Sequence, residues 1–149
     1  MEAYYIKTIK ADNKRDIERE YELQKIASNY GFCPKVYELD LKYNEDEKKW
    51  TGVIKMEHLN ALCLADVYSD DPKKIPKNVW DQIRTILETL LHEEGIEYID
   101  ITSYNFIEKN GKVYIIDFGH AKYYKTENGL NWFLSDFLDG ENNWNPDFY

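Results

Sequence analysis

The chain has 149 residues, of which 43% are hydrophobic and 15% aromatic, and its formal net charge is −9. This length is enough for one compact domain with its own hydrophobic core. The acidic charge disfavours nucleic acids and anionic membranes as partners, and it favours proteins with basic surfaces.

Targeting and redox signals are absent from the sequence. No apolar run reaches the roughly 18 residues that a membrane helix needs, and the N-terminus lacks the charged and apolar regions of a signal peptide. Cys33 and Cys63 lie far apart, without the spacing of a metal or redox motif, so we expect two reduced thiols. The sequence therefore predicts a soluble, cytoplasmic protein.

The first third of the chain predicts strand, helix, strand and strand. Tyrosine, isoleucine and threonine over residues 3–9 are typical of a strand. Asp12 or Asn13 can cap a helix that ends at Gly31. Apolar alternation at residues 37, 39, 41 and 43, a charged turn over 44–49 and an apolar run over 50–56 predict two antiparallel strands.

This first helix carries an acid on its apolar side. Four residues follow the spacing of one buried helical face, namely Leu23, Ile26, Ala27 and Tyr30. Glu20 falls on the same side. A buried carboxylate needs a partner, and the preceding strand offers Lys7 or Lys10. The alternative is that Glu20 lies in water at the edge of the apolar face.

The middle of the chain predicts helices. A short helix over 62–68 ends before Asp71-Pro72, because the residue before proline avoids the helical region. A longer helix over 78–93 ends at Gly95. Its apolar face, which should pack under the hairpin that follows, consists of Trp80, Ile83, Leu87, Leu90 and Leu91.

A hairpin centred on Asn110-Gly111 carries the main functional signal. This dipeptide favours a type I′ turn because both of its positions need positive φ. Pairing outward from the turn brings Asn105 opposite Ile116 and next to Asp117, while Asp100 lies five residues before the asparagine. Three side-chain oxygens at one strand end are suitable ligands for Mg²⁺, although Asp and Asn also occur in ordinary turns.

The C-terminal part predicts a loop over 124–129, a short amphipathic segment over 131–138 and a polar tail over 139–149. It is rich in aromatic residues, namely Trp132, Phe133, Phe137, Trp144, Phe148 and Tyr149. They could form a docking surface or complete the core of a small lower lobe. We favour the core.

These motifs stand in the order found in protein kinases. Tyr98-Ile99-Asp100 stands at the position of the HRD triplet, the residues from Asp100 to Asn105 keep the D-x-x-x-x-N spacing, and Asp117-Phe118-Gly119 is a DFG motif. The chain resembles the RIO kinases and the small kinase of the KEOPS tRNA-modification complex.

Upstream segments support the resemblance. Tyr5-Ile6-Lys7 resembles the strand that bears the phosphate-holding lysine, and Glu20-x-x-Leu23 resembles the helix whose glutamate pairs with that lysine. Residues 31–37 resemble the helix-exit segment of small atypical kinases, and residues 56–59 resemble the hinge.

The resemblance implies an α+β fold, a truncated two-lobed kinase-like domain over residues 1–149. Residues 1–59 would form a reduced N-lobe, a small antiparallel sheet with one helix. Residues 60–149 would form a shortened, mainly helical C-lobe. Because the sequence begins almost on the lysine-bearing strand, we expect no glycine-rich loop, and therefore a nucleotide with little cover.

The resemblance also implies an activity, that of an atypical, minimal Ser/Thr-type protein kinase that uses ATP and Mg²⁺. Asp100 would be the catalytic base, and Asn105 and Asp117 would be the metal ligands. Lys7 would hold the α and β phosphates, fixed by Glu20.

The adenine would lie against Met56, Glu57 and Leu59. Tyr5 replaces the small residue that usually contacts the base, and Ile99 replaces the arginine of HRD, so we expect no phosphorylation switch of the usual kind. The alternative function is a catalytically weak or inactive pseudokinase that acts as a binding module for a partner. A small-molecule phosphotransferase is a third possibility.

Overall fold

The computed structural model describes residues 4–149, so Ala3 of the first predicted strand lies outside the described residues. The strands are β1 (Tyr4–Ala11), β2 (Val36–Asn44), β3 (Lys49–Glu57), β4 (Ile96–Glu97), β5 (Phe106–Lys109), β6 (Lys112–Ile115) and β7 (Lys122–Tyr123). The α-helices are α1 (Lys14–Asn29), α2 (Leu64–Tyr68), α3 (Lys77–Glu94) and α4 (Trp132–Leu138). Short 3₁₀ turns cover Pro72–Lys74, Thr126–Asn128 and Pro146–Phe148.

The chain divides into two compact units, Met1–Asn60 and Ala61–Tyr149. The first contains a small antiparallel sheet with one helix, and the second is mainly helical with short two-stranded sheets. The predicted α+β class, with a small antiparallel sheet followed by helices, is confirmed. Over residues 4–149, none of the helices combines the length and apolar character that crossing a membrane would require.

The sheet of the first unit has β3 between β1 and β2, and both pairings are antiparallel. Helix α1 is capped by Asn13, whose side chain accepts a hydrogen bond from the Asp16 backbone N–H at 3.1 Å. Gly52 of β3 lies so close to α1 that a Cβ there would overlap Cγ2 of Ile17. The helix and the sheet are therefore packed without room for one more methyl group.

The predicted apolar face of α1 is partly wrong. Leu23 and Ala27 are fully buried, but Ile26 is half-buried and Tyr30 is 39% exposed. Tyr30 lies at the C-terminal end of the helix, where the chain turns away at Gly31, and its ring stacks on Phe32. Ile17, Glu20 and Gln24 complete the buried face instead.

The predicted alternation in β2 also needs correction. Leu39 and Leu41 are half-buried, as predicted, but Tyr37 and Tyr43 are 45% and 47% exposed. The register of β2 against β3 shifts between Val36 and Glu38, which breaks the alternation at Tyr37. At the other end of β2, Tyr43 packs against Trp50, its antiparallel partner in β3, and remains exposed.

In the second unit, α3 is the central helix. Its predicted face is confirmed for Trp80, Ile83, Leu87 and Leu90, while Leu91 is only half-buried. The helix packs under the hairpin, as predicted. Its Gln82 donates from Nε2 to the Gly111 carbonyl and accepts at Oε1 from the Val113 N–H, both at 3.0 Å.

Three of the six C-terminal aromatic residues belong to the core. Phe133, Phe137 and Trp144 are 0–4% exposed, and Trp144 packs against Trp80 with ring centroids 4.4 Å apart. Trp132 and Tyr149 are more than half exposed. The core interpretation is therefore confirmed for the three buried rings.

Candidate functional site

The hairpin formed by β5 and β6 fixes the position of the candidate site in the second unit. Its turn residues Asn110 and Gly111 have φ values of 54° and 80°, as a type I′ turn requires. Beyond the paired strands, the Ile116 N–H donates to the Asn105 carbonyl at 3.0 Å. The predicted register is confirmed, and Asp117 follows directly.

The loop from Asp100 to Asn105 is folded back on itself. Asn105 donates from Nδ2 to the Asp100 carbonyl at 2.9 Å, and its backbone N–H donates to the Thr102 carbonyl at 3.2 Å. Asn105 is 8% exposed, and the Asp100 side chain is 12% exposed. The two predicted site residues therefore lie together in one tight, largely buried loop.

Asp117 lies at the start of the segment after β6. Its Oδ1 accepts from the Gly119 N–H at 2.8 Å, and its backbone carbonyl accepts from the Tyr98 hydroxyl at 2.7 Å. Phe118 is buried with its ring 5.7 Å from that of Tyr98. Asp117 thus takes part in a turn, which was the alternative to a metal site in the sequence analysis. The residue is nevertheless half-exposed.

His120 is a site residue to which the sequence analysis assigned no role. Its Nδ1 lies 2.9 Å from Oδ2 of Asp100. The two residues are 20 positions apart, and no spacing rule connects them. The only sequence signal is that His120 follows directly on the Asp117-Phe118-Gly119 motif, which the hairpin returns to the Asp100 loop.

The C-terminal segment holds the same loop from outside. Asn145 donates from Nδ2 to the Ile99 carbonyl and from its backbone N–H to the Ile101 carbonyl, both at 2.8 Å. The Tyr149 hydroxyl accepts from the Ser103 N–H at 2.9 Å and lies 2.8 Å from the Ser103 hydroxyl. Partial burial of the hydroxyl raises the pKa of Tyr149 above its usual value.

In the first unit, Lys7 and Glu20 form an ion pair with 2.6 Å between Nζ and Oε2. The Glu20 side chain is 8% exposed and that of Lys7 is 23% exposed. Lys10 instead contacts Glu47 at the surface, at 3.1 Å. Residues 7 and 10 lie on opposite faces of a strand, so only one of them can face α1, and the predicted pairing is confirmed for Lys7.

The predicted hinge residues lie at the end of β3 and just beyond it. Met56 and Leu59 are 3% and 5% exposed, so both side chains belong to the core. Glu57 is tied to Lys35 by two bonds, since its N–H donates to the Lys35 carbonyl at 2.8 Å and its carboxylate accepts from the Lys35 N–H at 3.2 Å. The tip of this segment carries His58, whose ring lies 6.1 Å from that of Tyr5.

The two cysteines differ in their exposure. Cys33 and Cys63 are both free, the first buried and the second half-buried. Burial, and then the charge of Glu57, raise the pKa of the Cys33 thiol far above its usual range. Among residues 4–149, no three His, Cys, Asp or Glu side chains are grouped closely enough to hold a metal ion on their own.

Comparison with known proteins gives two matches. A family model described as "RIO domain" matches residues 7–138. The chain is 33% identical over 113 residues to the KEOPS complex subunit Bud32 of Pyrococcus abyssi (strain GE5 / Orsay), an alignment that covers 72% of the chain. The match covers 46% of that relative, so the chain spans about half of its length.

Proposed function

The chain belongs to the RIO domain family of atypical protein-kinase-like proteins, and on this basis we propose that it is a phosphotransferase that uses Mg-ATP. The observation that carries the proposal is the Asp100 loop. Asn105 is bonded to the Asp100 carbonyl at 2.9 Å, and the hairpin register sets Asp117 beside Asn105. These three residues match the catalytic and metal-binding positions of the kinase motifs.

Asn105 and Asp117 suit a magnesium ion. Mg²⁺ prefers oxygen ligands, and it keeps several waters or phosphate oxygens in its shell, so two protein ligands are sufficient. The Nδ2 of Asn105 is bonded to the Asp100 carbonyl, which makes Oδ1 the atom through which Asn105 would hold the ion. When bound, the ion would neutralise charge on the phosphate oxygens.

Asp100 would act as the catalytic base. One of its oxygens is bonded to His120, and a carboxylate has a second oxygen that can accept a proton. The acceptor hydroxyl would pass its proton to Asp100 as its oxygen bonds to the γ-phosphorus and ADP leaves. The side chain is 12% exposed, so part of the carboxylate is open to solvent, and its few water contacts strengthen its hydrogen bonds.

Lys7 would neutralise the α and β phosphates. Its ion pair with Glu20 is largely buried and limits the positions that the ammonium group can take. Met56, Glu57 and Leu59 would border the adenine. The two bonds between Glu57 and Lys35 support this role, because they fix the backbone that would face the base.

Nucleotide binding is tested first, by thermal unfolding during a titration with Mg-ATP. We expect the wild type to be stabilised, since a ligand that binds only the folded state raises the melting temperature. Asp117→Asn keeps the side-chain shape and should lose most of the shift. Asp136→Asn, the same change at an exposed residue of α4, should keep it. No shift in the wild type at millimolar Mg-ATP would refute the proposal.

Catalysis is tested second, with Asp100→Asn and a broad set of protein acceptors. Removal of a catalytic base should lower kcat by roughly 10²–10⁴-fold and leave the thermal shift in place. Normal transfer by this variant would refute the role of Asp100.

A second candidate function is a binding module without catalysis. The matched relative is named as a subunit of a complex, and we propose that this chain also acts with a protein partner. The acidic charge of −9 would favour a basic surface on that partner. Wild-type protein that binds Mg-ATP but transfers no phosphate to any acceptor, including itself, would support this function over the first.

A further inference from the structure

The contact between His120 and Asp100 lies outside the nucleotide-binding and metal-binding roles proposed above. It joins Nδ1 of the imidazole to Oδ2 of the carboxylate at 2.9 Å. Asp100 is nearly buried, whereas the His120 side chain is 61% exposed. A side chain that is this exposed contributes little to the hydrophobic core, so packing alone does not explain the contact.

His120 is held from the other side by the C-terminal segment. The Phe148 ring lies against the imidazole, with ring centroids 5.0 Å apart. Phe148 ends the 3₁₀ turn that begins just after Asn145, and Asn145 is bonded to the carbonyls of Ile99 and Ile101, the two neighbours of Asp100. The C-terminal segment therefore contacts the imidazole through Phe148 and the backbone on both sides of Asp100 through Asn145.

The hydrogen bond between His120 and Asp100 has a defined donor and acceptor. An ionised carboxylate only accepts hydrogen bonds, so Nδ1 of His120 must carry the proton and donate it. Such a bond to a charged group is stronger than a neutral one. It fixes Oδ2 and with it the rotation of the whole carboxylate, which leaves Oδ1 as the oxygen that is available to accept a proton.

We propose that His120 is a positioning residue for phosphoryl transfer, which holds the Asp100 carboxylate in the rotation that accepts the substrate proton. This role rests on the proposed function, since it presupposes that Asp100 acts as the base. Phe148 supports it by limiting the rotation of the imidazole.

The test compares three variants in steady-state phosphoryl transfer. His120→Leu has a similar size but no donor, and His120→Asn places an amide N–H close to where Nδ1 was. His92→Leu is the matched control, because His92 is an exposed residue near the C-terminal end of α3. Thermal unfolding with and without Mg-ATP shows that each variant folds and binds nucleotide.

We expect His120→Leu to lower kcat by roughly tenfold, the effect of losing one hydrogen bond to a charged group. KM for ATP and the Mg-ATP thermal shift should stay close to the wild-type values. His120→Asn should recover most of kcat, and His92→Leu should match the wild type. A purely structural role would instead lower stability and nucleotide binding together, and it would not be rescued by asparagine.

Three outcomes would overturn the inference. The first is an unchanged kcat in His120→Leu, and the second is an increase, which would mean that the imidazole covers Asp100 instead of positioning it. The third is a wild type that binds Mg-ATP but transfers nothing, which refutes the catalytic proposal itself. The first two outcomes require an active wild type, so failure of the inference can be distinguished from failure of the proposed function. If His120→Leu does not fold, Phe148→Leu replaces it, and an unchanged kcat in that variant overturns the inference.

Discussion

Replacement of Glu20 by glutamine tests the ion pair of the first unit. Glu20 is 8% exposed and contacts Lys7 at 2.6 Å. Glutamine has the same size and can still accept one hydrogen bond from the ammonium group. The change therefore removes the negative charge of Glu20 while keeping the shape, and it weakens the attraction between the two side chains.

The expected cost lies between two limits. Loss of one partner of a fully buried ion pair costs about 3–5 kcal/mol, and an exposed pair is worth about 0–1 kcal/mol. Lys7 keeps 23% of its side-chain exposure, so water offsets part of the loss. We expect Glu20→Gln to lower the free energy of unfolding by about 2 kcal/mol, which is a fall in Tm of about 4–8 °C.

Thermal and urea unfolding measure this effect, with Glu18→Gln as the control. Glu18 lies in the same helix and is exposed, so its replacement should change the free energy of unfolding by less than about 0.5 kcal/mol. Equal stabilities of the Glu20→Gln and Glu18→Gln variants would refute the reasoning.

Three further predictions concern packing, the hairpin and the thiols. Gly52→Ala should cost about 1–3 kcal/mol of unfolding free energy, and much less in an Ile17→Ala background, where Cγ2 is gone; additive costs in urea unfolding would contradict this. Gly111→Ala should cost about 1–2 kcal/mol, because φ is 80° there, and an unchanged Tm would contradict it. Because burial raises the pKa of Cys33, a thiol reagent at pH 8 should label only the half-buried Cys63 in the native protein and both cysteines in denaturant; native labelling of both would contradict it.

Much of the fold could be predicted from the sequence because its signals are local. The Asn110-Gly111 dipeptide fixed the turn type, and the turn fixed the register that brings Asn105 opposite Ile116. The apolar period of α3 predicted both the helix and the face that packs under the hairpin. In each case the information lies within a few residues of the element that it determines.

The errors arose at the ends of elements. Tyr30 and Tyr43 have the spacing of buried residues but lie at the ends of α1 and β2, and both are exposed. Hydrophobic period tells which residues share a face, but it does not tell how deeply each residue of that face is buried. The depth of burial is a property of the packed unit.

The order of the elements, the hairpin and the motifs that show the family could all be predicted from the amino-acid sequence. The sequence also predicted an acid on the apolar face of α1, although it left open whether Lys7 or Lys10 is its partner. Which distant polar groups meet depends on tertiary packing. His120 contacts Asp100, and Asn145 binds the carbonyls on both sides of Asp100. These partners are 20 and 46 residues apart, and contacts over such separations leave no periodic pattern in the sequence. They form because the hairpin and the C-terminal segment pack around one loop.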